Sequence, residues 1–115
     1  MTIEEIQAAI RKFRDARDWM QFHNVKDMAA AIAIEASELQ EIFLWKTGHE
    51  IAEVTDKKRE QITDELADVA AFLFEMADNL KVDLGQAVLA KLEKNALKYP
   101  ADKARGISTK YTELK

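Results

Sequence analysis

Four carboxylates are spaced to do chemistry. Glu35 and Glu38 lie three residues apart, and so do Glu65 and Asp68. On a helix an i, i+3 pair shares one face, so two such helices packed antiparallel would bring four acidic groups together. Like charges at that range repel and raise one another's pKa, and a divalent cation removes the conflict. All-oxygen ligation favours a hard ion, Mg²⁺ or Mn²⁺, over zinc or copper. The plainer alternative, solvated helix charge, suits any single E-x-x-E but suits this pair of pairs less well. Both are set in apolar sequence, "AIAIEASELQEIFLW" (31–45) and "LADVAAFLF" (66–74), and an Asp in mid-helix has poor propensity. A di-iron or di-manganese bundle wants Glu-x-x-His from two helices. Here His23 and His49 fall in expected connectors and neither follows a Glu by three.

The elements that must hold these groups are helices. Thr2 and Glu5 form a capping-box pattern that opens a first helix, with Ile3, Ile6, Ile10, Phe13 and Met20 along its apolar stripe. "FHNVKD" (22–27) breaks the period and reads as a loop. A second helix is expected from about Asp27, as N-cap, to Lys46, with Gly48 as its stop. The polar stretch "TGHEIAEVTD" (47–56) reads as a connector. A third helix is expected from about Asp56 to Leu80, carrying Ile62, Leu66, Val69, Leu73 and Met76 on its stripe. After a turn at 81–83, Asp83 and Gln86 cap a fourth helix that runs to about Tyr99 and stops at Pro100. The rest is a polar tail. The pattern predicts an all-α, four-helix bundle-like fold in one domain, 1–115, completed by a second subunit.

Composition narrows the class. The 115 residues are 48% hydrophobic and 33% charged, with three glycines and one proline, a mix that suits helices. With no cysteine there is no disulfide framework, thiol nucleophile or thiolate metal site. The start of the chain carries alternating charge rather than a secretory leader. The longest apolar run, Met28 to Ile34, is far short of the roughly 20 residues that span a bilayer. A soluble, cytoplasmic protein with no membrane partner is the expectation. Residues 91–115 hold seven Lys and Arg against three Asp and Glu, yet the whole chain is at −4, which argues against nucleic acid as the partner. The glycines, at 48, 85 and 106, are isolated, so no Gly-rich phosphate loop is present.

Two further groups of residues could meet a ligand. Trp19 and Trp45 are the only tryptophans, and an indole stacks on a nucleobase for roughly 1–3 kcal/mol. His23 and Asn24 stand beside the first as hydrogen-bonding groups. Packing within the core or an interface is the plainer role for both tryptophans. Lys91, Asn95 and Lys98 are spaced i, i+4, i+7 on one helical stripe. With Tyr99, Arg105, Lys110 and Tyr111 they make a basic, hydrogen-bonding end suited to phosphate oxygens, or simply a solvated face. Lys91, Asn95, Tyr99 and Lys110 are the leading candidates among them.

Taken in order, "RDWMQFHNVKDMA", "EASE", "FLWK", "ELAD", "VDLGQAVLAKLEKNALKYP" and "ARGISTKYTEL" resemble the MazG-like all-α nucleoside triphosphate pyrophosphohydrolases, above all their dCTP pyrophosphatase branch. The resemblance covers about residues 10–114. It implies hydrolysis of a (deoxy)nucleoside triphosphate, dCTP or a related pyrimidine nucleotide, to the monophosphate and pyrophosphate. Glu35, Glu38, Glu65 and Asp68 would then be ligands of Mg²⁺ (or Mn²⁺), and Glu41, one E-x-x-E step further on, the group that orders or deprotonates water. Trp19, His23, Trp45 and Phe72 would surround the base, with Lys91, Asn95, Tyr99 and Lys110 on the substrate's phosphates. The chain departs from the branch at Phe72 and Ile10, where members can carry tyrosine and histidine, and at Ile34, where many MazG-like proteins carry a second glutamate. A homo-oligomer, dimer or tetramer, is also implied. A non-catalytic helical protein-interaction module is the competing reading, and it expects neither cation affinity nor phosphate release.

Overall fold

The computed structural model describes all 115 residues, and they are helical throughout, without strands. The helices are α1 (Ile3–Asp15), α2 (Val25–Ile42), α3 (His49–Lys57), α4 (Arg59–Asn79), α5 (Leu84–Lys98) and a single turn, α6 (Ala101–Ala104). Short 3₁₀ turns occupy Met20–Phe22 and Tyr111–Glu113. The chain packs as two compact units, Met1–Lys81 and Val82–Lys115. No helix is long and apolar enough to cross a membrane.

Two N-caps hold as the sequence predicts, each through its side-chain oxygen. Thr2 Oγ1 accepts from the Glu5 N–H at 3.1 Å, and Asp83 Oδ1 from the Gln86 N–H at 3.1 Å. The start of α2 differs from expectation. Asn24, not Asp27, is the N-cap: its backbone is extended and its side-chain oxygen accepts from the Asp27 N–H at 2.9 Å. Its amide also donates to Asp27 Oδ2 at 2.8 Å, so the pair closes the first turn reciprocally.

The expected connector 47–56 is mostly helix. Gly48 does not end α2, which stops at Ile42; it opens α3, with φ 52° and ψ −129°, a conformation that residues with a Cβ avoid. Ile51 and Val54 put an apolar pair one turn apart, and α3 packs on α4. The chain breaks at Lys58, whose N–H closes α3 onto Val54 while its carbonyl starts α4.

In the first unit α4 is the hub, with α1, α2 and α3 all packed on it. Only Met28, Ile42 and Ala77 are buried apolar residues; Gln7, Arg14 and Glu75 are buried polar ones. The last three belong to a polar seam between α1 and α4. Gln7, Arg11 and Arg14 follow the i, i+4, i+7 spacing of one helix face. Gln7 Nε2 donates to the Phe74 carbonyl at 2.9 Å, Arg11 pairs with Asp78 at 2.6 Å, and Arg14 lies 3.6 Å from Glu75.

The second unit holds α5, α6 and the final turn. Tyr99, at the end of α5, meets Tyr111 edge-on with centroids 5.9 Å apart, and Lys98 Nζ lies 4.7 Å from the Tyr111 ring. Arg105 leads into Gly106, whose φ of 77° reverses the chain after α6.

The cap assignment predicts that Asn24→Ala lowers stability by ~1 kcal/mol, read as a lower thermal midpoint by circular dichroism. Asp27→Ala should cost less. The reverse order would return the cap to Asp27.

Candidate active site

The packing of α2 on α4 brings three of the four expected carboxylates together. One oxygen each from Glu35, Glu38 and Glu65 lie within 4.8 Å of one another. Glu35 and Glu65 are half-buried and Glu38 is exposed. Glu35 Oε2 and Glu65 Oε2 are out of contact with water and have no hydrogen-bond partner, a costly state for a carboxylate oxygen. Asp68 stands outside this triangle, exposed, but its charge acts on both Glu35 and Glu65. Burial first, then the Glu38, Asp68 and Glu65 carboxylates, push the Glu35 carboxyl up to about 7. Glu65 is raised as well, by burial and then by Glu38 and Asp68. No lysine or arginine forms an ion pair with any of the four. The donor set therefore suits a hard divalent cation: oxygens only, desolvated, and short of positive charge.

Two cavities flank the carboxylates. The polar one, about 370 Å³, is lined by Glu38, Glu41, Ile42, Lys58, Gln61 and Glu65. It brings Glu41 alongside Glu38 and Glu65, because Glu38 and Glu41 are themselves an i, i+3 pair on α2. The apolar one, about 450 Å³, includes Ile10, Phe13, Trp19, His23, Asp68 and Phe72 in its wall. Its aromatic rings form a continuous series. Phe13 meets Trp19 edge-on at 5.8 Å, Trp19 meets His23 at 6.4 Å, and His23 meets Phe72 edge-on at 6.4 Å. Asp68 thus borders both the carboxylate group and the aromatic cavity.

Trp19, His23, Phe72 and the departure position Ile10 are brought together around one cavity. Trp45 is not. It sits 87% exposed on the turn after α2, with a φ of 64° that is rare for a bulky side chain, and it lines neither cavity. Asn24 lines neither cavity; its side chain caps α2 and bonds Asp27. Lys91, Asn95, Tyr99 and Lys110 all lie in the second unit, with Lys91 and Lys110 exposed and Asn95 half-buried. Sequence reasoning missed Lys58, Arg14 and Glu75. Glu75 carried a usable signal, a charge inside the apolar run "AAFLFEMA" (70–77), the same signal that marked Asp68.

The raised Glu35 carboxyl fixes a pH dependence. Its folded pKa lies above its ordinary value of 4.5, so the folded state holds the proton more tightly than the unfolded chain. The stability this confers is fully present below about 4.5 and is lost as pH rises through about 7. In EDTA the thermal midpoint should therefore fall over that window, and Glu35→Gln should flatten the fall. Equal slopes for both proteins would show that Glu35 is not desolvated.

Comparison with known proteins identifies the family. The pattern of the MazG-like family matches residues 30–114. The chain is 40% identical to dCTP pyrophosphatase 1 of Homo sapiens, with 98% of this chain and 68% of that protein aligned. It is 37% identical to dCTP pyrophosphatase 1 of Bos taurus over the same shares. Among solved structures, a pyrophosphatase from Archaeoglobus fulgidus superposes with a TM-score of 0.81 at 39% identity, covering 84% of this chain and 91% of that one. With its all-helical fold and paired acidic helices, this chain belongs to the MazG-like family.

Proposed function

We propose that the protein is an Mg²⁺-dependent nucleoside triphosphate pyrophosphohydrolase that converts dCTP, or a related pyrimidine deoxynucleotide, to the monophosphate and pyrophosphate. The observation that carries this is the pair of buried, unpartnered carboxylate oxygens, one from α2 and one from α4, inside a group that lacks a cation of its own. The names of the relatives supply the reaction class.

Glu35, Glu38 and Glu65 would hold the metal, with Asp68 completing the set from the side of the aromatic cavity. Mg²⁺ suits these oxygens, and Mn²⁺ would substitute. Bound there, the ion supplies charge neutralisation for a polyanionic substrate and polarises its phosphoryl oxygens. Glu41, on the wall of the polar cavity, is assigned to order the attacking water and take its proton. Lys58 is the one cation on that wall and is placed to balance charge released during hydrolysis. Trp19, His23 and Phe72 would receive the base in a cavity with aromatic walls, where stacking contributes roughly 1–3 kcal/mol. Lys91, Asn95, Tyr99 and Lys110 are assigned to phosphate oxygens on their chemistry.

The protein is further proposed to act as a cytoplasmic homo-oligomer. Three buried apolar residues are a thin core, while Ile34, Leu66, Leu73, Leu89, Leu92 and Leu97 are all exposed. Burying such side chains against a second copy would contribute roughly 1.5–3 kcal/mol each. A single chain weighs 13.1 kDa. Sedimentation should therefore find a species at least twice that mass, and its thermal midpoint should rise with protein concentration. A monomer with a concentration-independent midpoint would contradict the assembly.

Activity is tested by phosphate release in the presence of added inorganic pyrophosphatase, over dCTP, dTTP, dUTP, dATP and dGTP with Mg²⁺. Pyrimidine turnover that EDTA abolishes is expected. Asp68→Asn should reduce it by at least ~100-fold while leaving the helical fold intact or slightly more stable. No turnover of any nucleotide, together with no effect of Mg²⁺ on thermal stability, would refute the assignment.

A further inference from the structure

Next to the aromatic cavity lies a contact that hydrolysis does not use. Phe13 and Trp19 form part of the cavity wall; Arg17, which stands between them in the chain, does not. The Arg17 guanidinium carbon is 3.8 Å from the Phe13 ring centroid and 5.9 Å from that of Trp19, within the range of a cation–π contact for both rings. Arg17 Nη1 also donates to the Phe13 carbonyl at 2.9 Å, which fixes the guanidinium over the first ring. Two acids stand close by in the chain, but both are engaged elsewhere. Asp15 pairs with Arg14 at 2.8 Å, and Asp18 Oδ2 accepts from Gln21 at 3.0 Å. Arg17 itself forms no ion pair, and the rings are left as its partners.

The backbone at the end of α1 creates this contact. It closes in a Schellman turn: the Asp18 N–H donates to the Asp15 carbonyl at 3.1 Å and the Trp19 N–H to the Arg14 carbonyl at 3.1 Å. Asp18 takes the left-handed conformation of that turn, with φ 54°, where glycine is usual and Asp is one of the more tolerant alternatives. Gln21 Nε2 secures it by donating to the Asp18 carbonyl at 2.9 Å. On a continued helix, positions 17 and 19 would point about 200° apart. The reversal at Asp18 instead returns the Trp19 ring to Phe13, edge-on with centroids 5.8 Å apart, and sets Arg17 against both. Phe13 is 54% exposed and Trp19 42%, so the rest of the chain packs each ring only in part. The guanidinium supplies the missing constraint.

Resting on the nucleotide reading above, we propose that Arg17 is a positioning residue that clamps the Phe13 and Trp19 rings into a pre-formed stacking wall. Loosely held rings must be ordered when a base enters, and that ordering weakens binding. Rings already held by a cation escape the penalty. The carboxylates of α2 and α4, to which the reaction is assigned, form no ion pair with Arg17. The clamp therefore acts on affinity and leaves the chemical step alone.

The test measures KM and kcat for dCTP with Mg²⁺ in the wild type, Arg17→Met and Arg17→Lys. Methionine keeps an unbranched stem and removes the cation, while lysine restores a cation without the planar fork. Arg17→Met should raise KM about fivefold with kcat unchanged, and Arg17→Lys should recover part of that loss. Arg17 is exposed, so the thermal midpoint should stay close to that of the wild type. Time-resolved fluorescence anisotropy reads the wall without substrate, in a Trp45→Phe background where Trp19 is the sole indole. Arg17→Met should speed the decay. An unchanged KM overturns the proposal, as does an unchanged anisotropy decay. So does a loss shared by KM, kcat and the thermal midpoint, which marks a contact of the fold alone. A wild type that hydrolyses no triphosphate brings down the activity reading and, with it, the clamp's part in nucleotide binding. Turnover with a KM indifferent to Arg17→Met brings down this inference alone.

Discussion

The packing of α2 against α4 forces acidic side chains from both helices into a shared, partly dry space, and most of the protein's character follows from that constraint. Ordinary helix pairs bury apolar ridges. Here the faces that meet include Glu35 and Glu65, each with an oxygen cut off from water and from any hydrogen-bond donor. The protons that Glu35 retains to about pH 7 express the same conflict in another form. The rigidity of two long helices keeps these oxygens together despite the repulsion, which a divalent cation would relieve under the proposed function. On the proposed function, the feature that weakens the free protein is the one that would hold a divalent cation and, through it, a polyanionic substrate.

The remaining elements serve this pair. α4 meets α2 through the carboxylates and α1 through the polar seam of Gln7, Arg11 and Arg14. Between those contacts it presents Asp68, Phe72 and Glu75 at intervals of four and three residues, one stripe that passes from the edge of the acidic group to an aromatic wall to a hydrogen-bonding cluster. The thin apolar core of the first unit is the counterpart of so much polar surface being directed inward.

Much of this was legible in the sequence, and the gaps have physical causes. The acidic pairs could be read because their spacing matches the helical repeat and because Asp68 interrupts an apolar run without a structural motive. The caps at Thr2 and Asp83 followed from local chemistry, and the structure reproduces both. α3 was missed because nine residues with only Ile51 and Val54 as apolar markers give no measurable periodicity, and because Gly48 starts a helix as readily as it ends one. Asp27 is a good capping type, but so is Asn24, and only the extended backbone at Asn24 assigns the cap there. Trp45 joins neither cavity because the chain turns at Phe43, a choice no Gly or Pro announces. The Arg14–Glu75 pair escaped because it joins residues far apart in the chain, and a partnership of that kind appears only when helices are docked. Glu41 reaches the polar cavity because it lies one i, i+3 step from Glu38 on α2.

Diffraction from crystals grown with Mn²⁺, using its anomalous signal, tests the central claim most directly. The account predicts a peak within bonding distance of oxygens from Glu35, Glu38 and Glu65, with those of Asp68 in its coordination sphere or one water away. A fully occupied ion elsewhere, with the four carboxylates still unliganded, would contradict it.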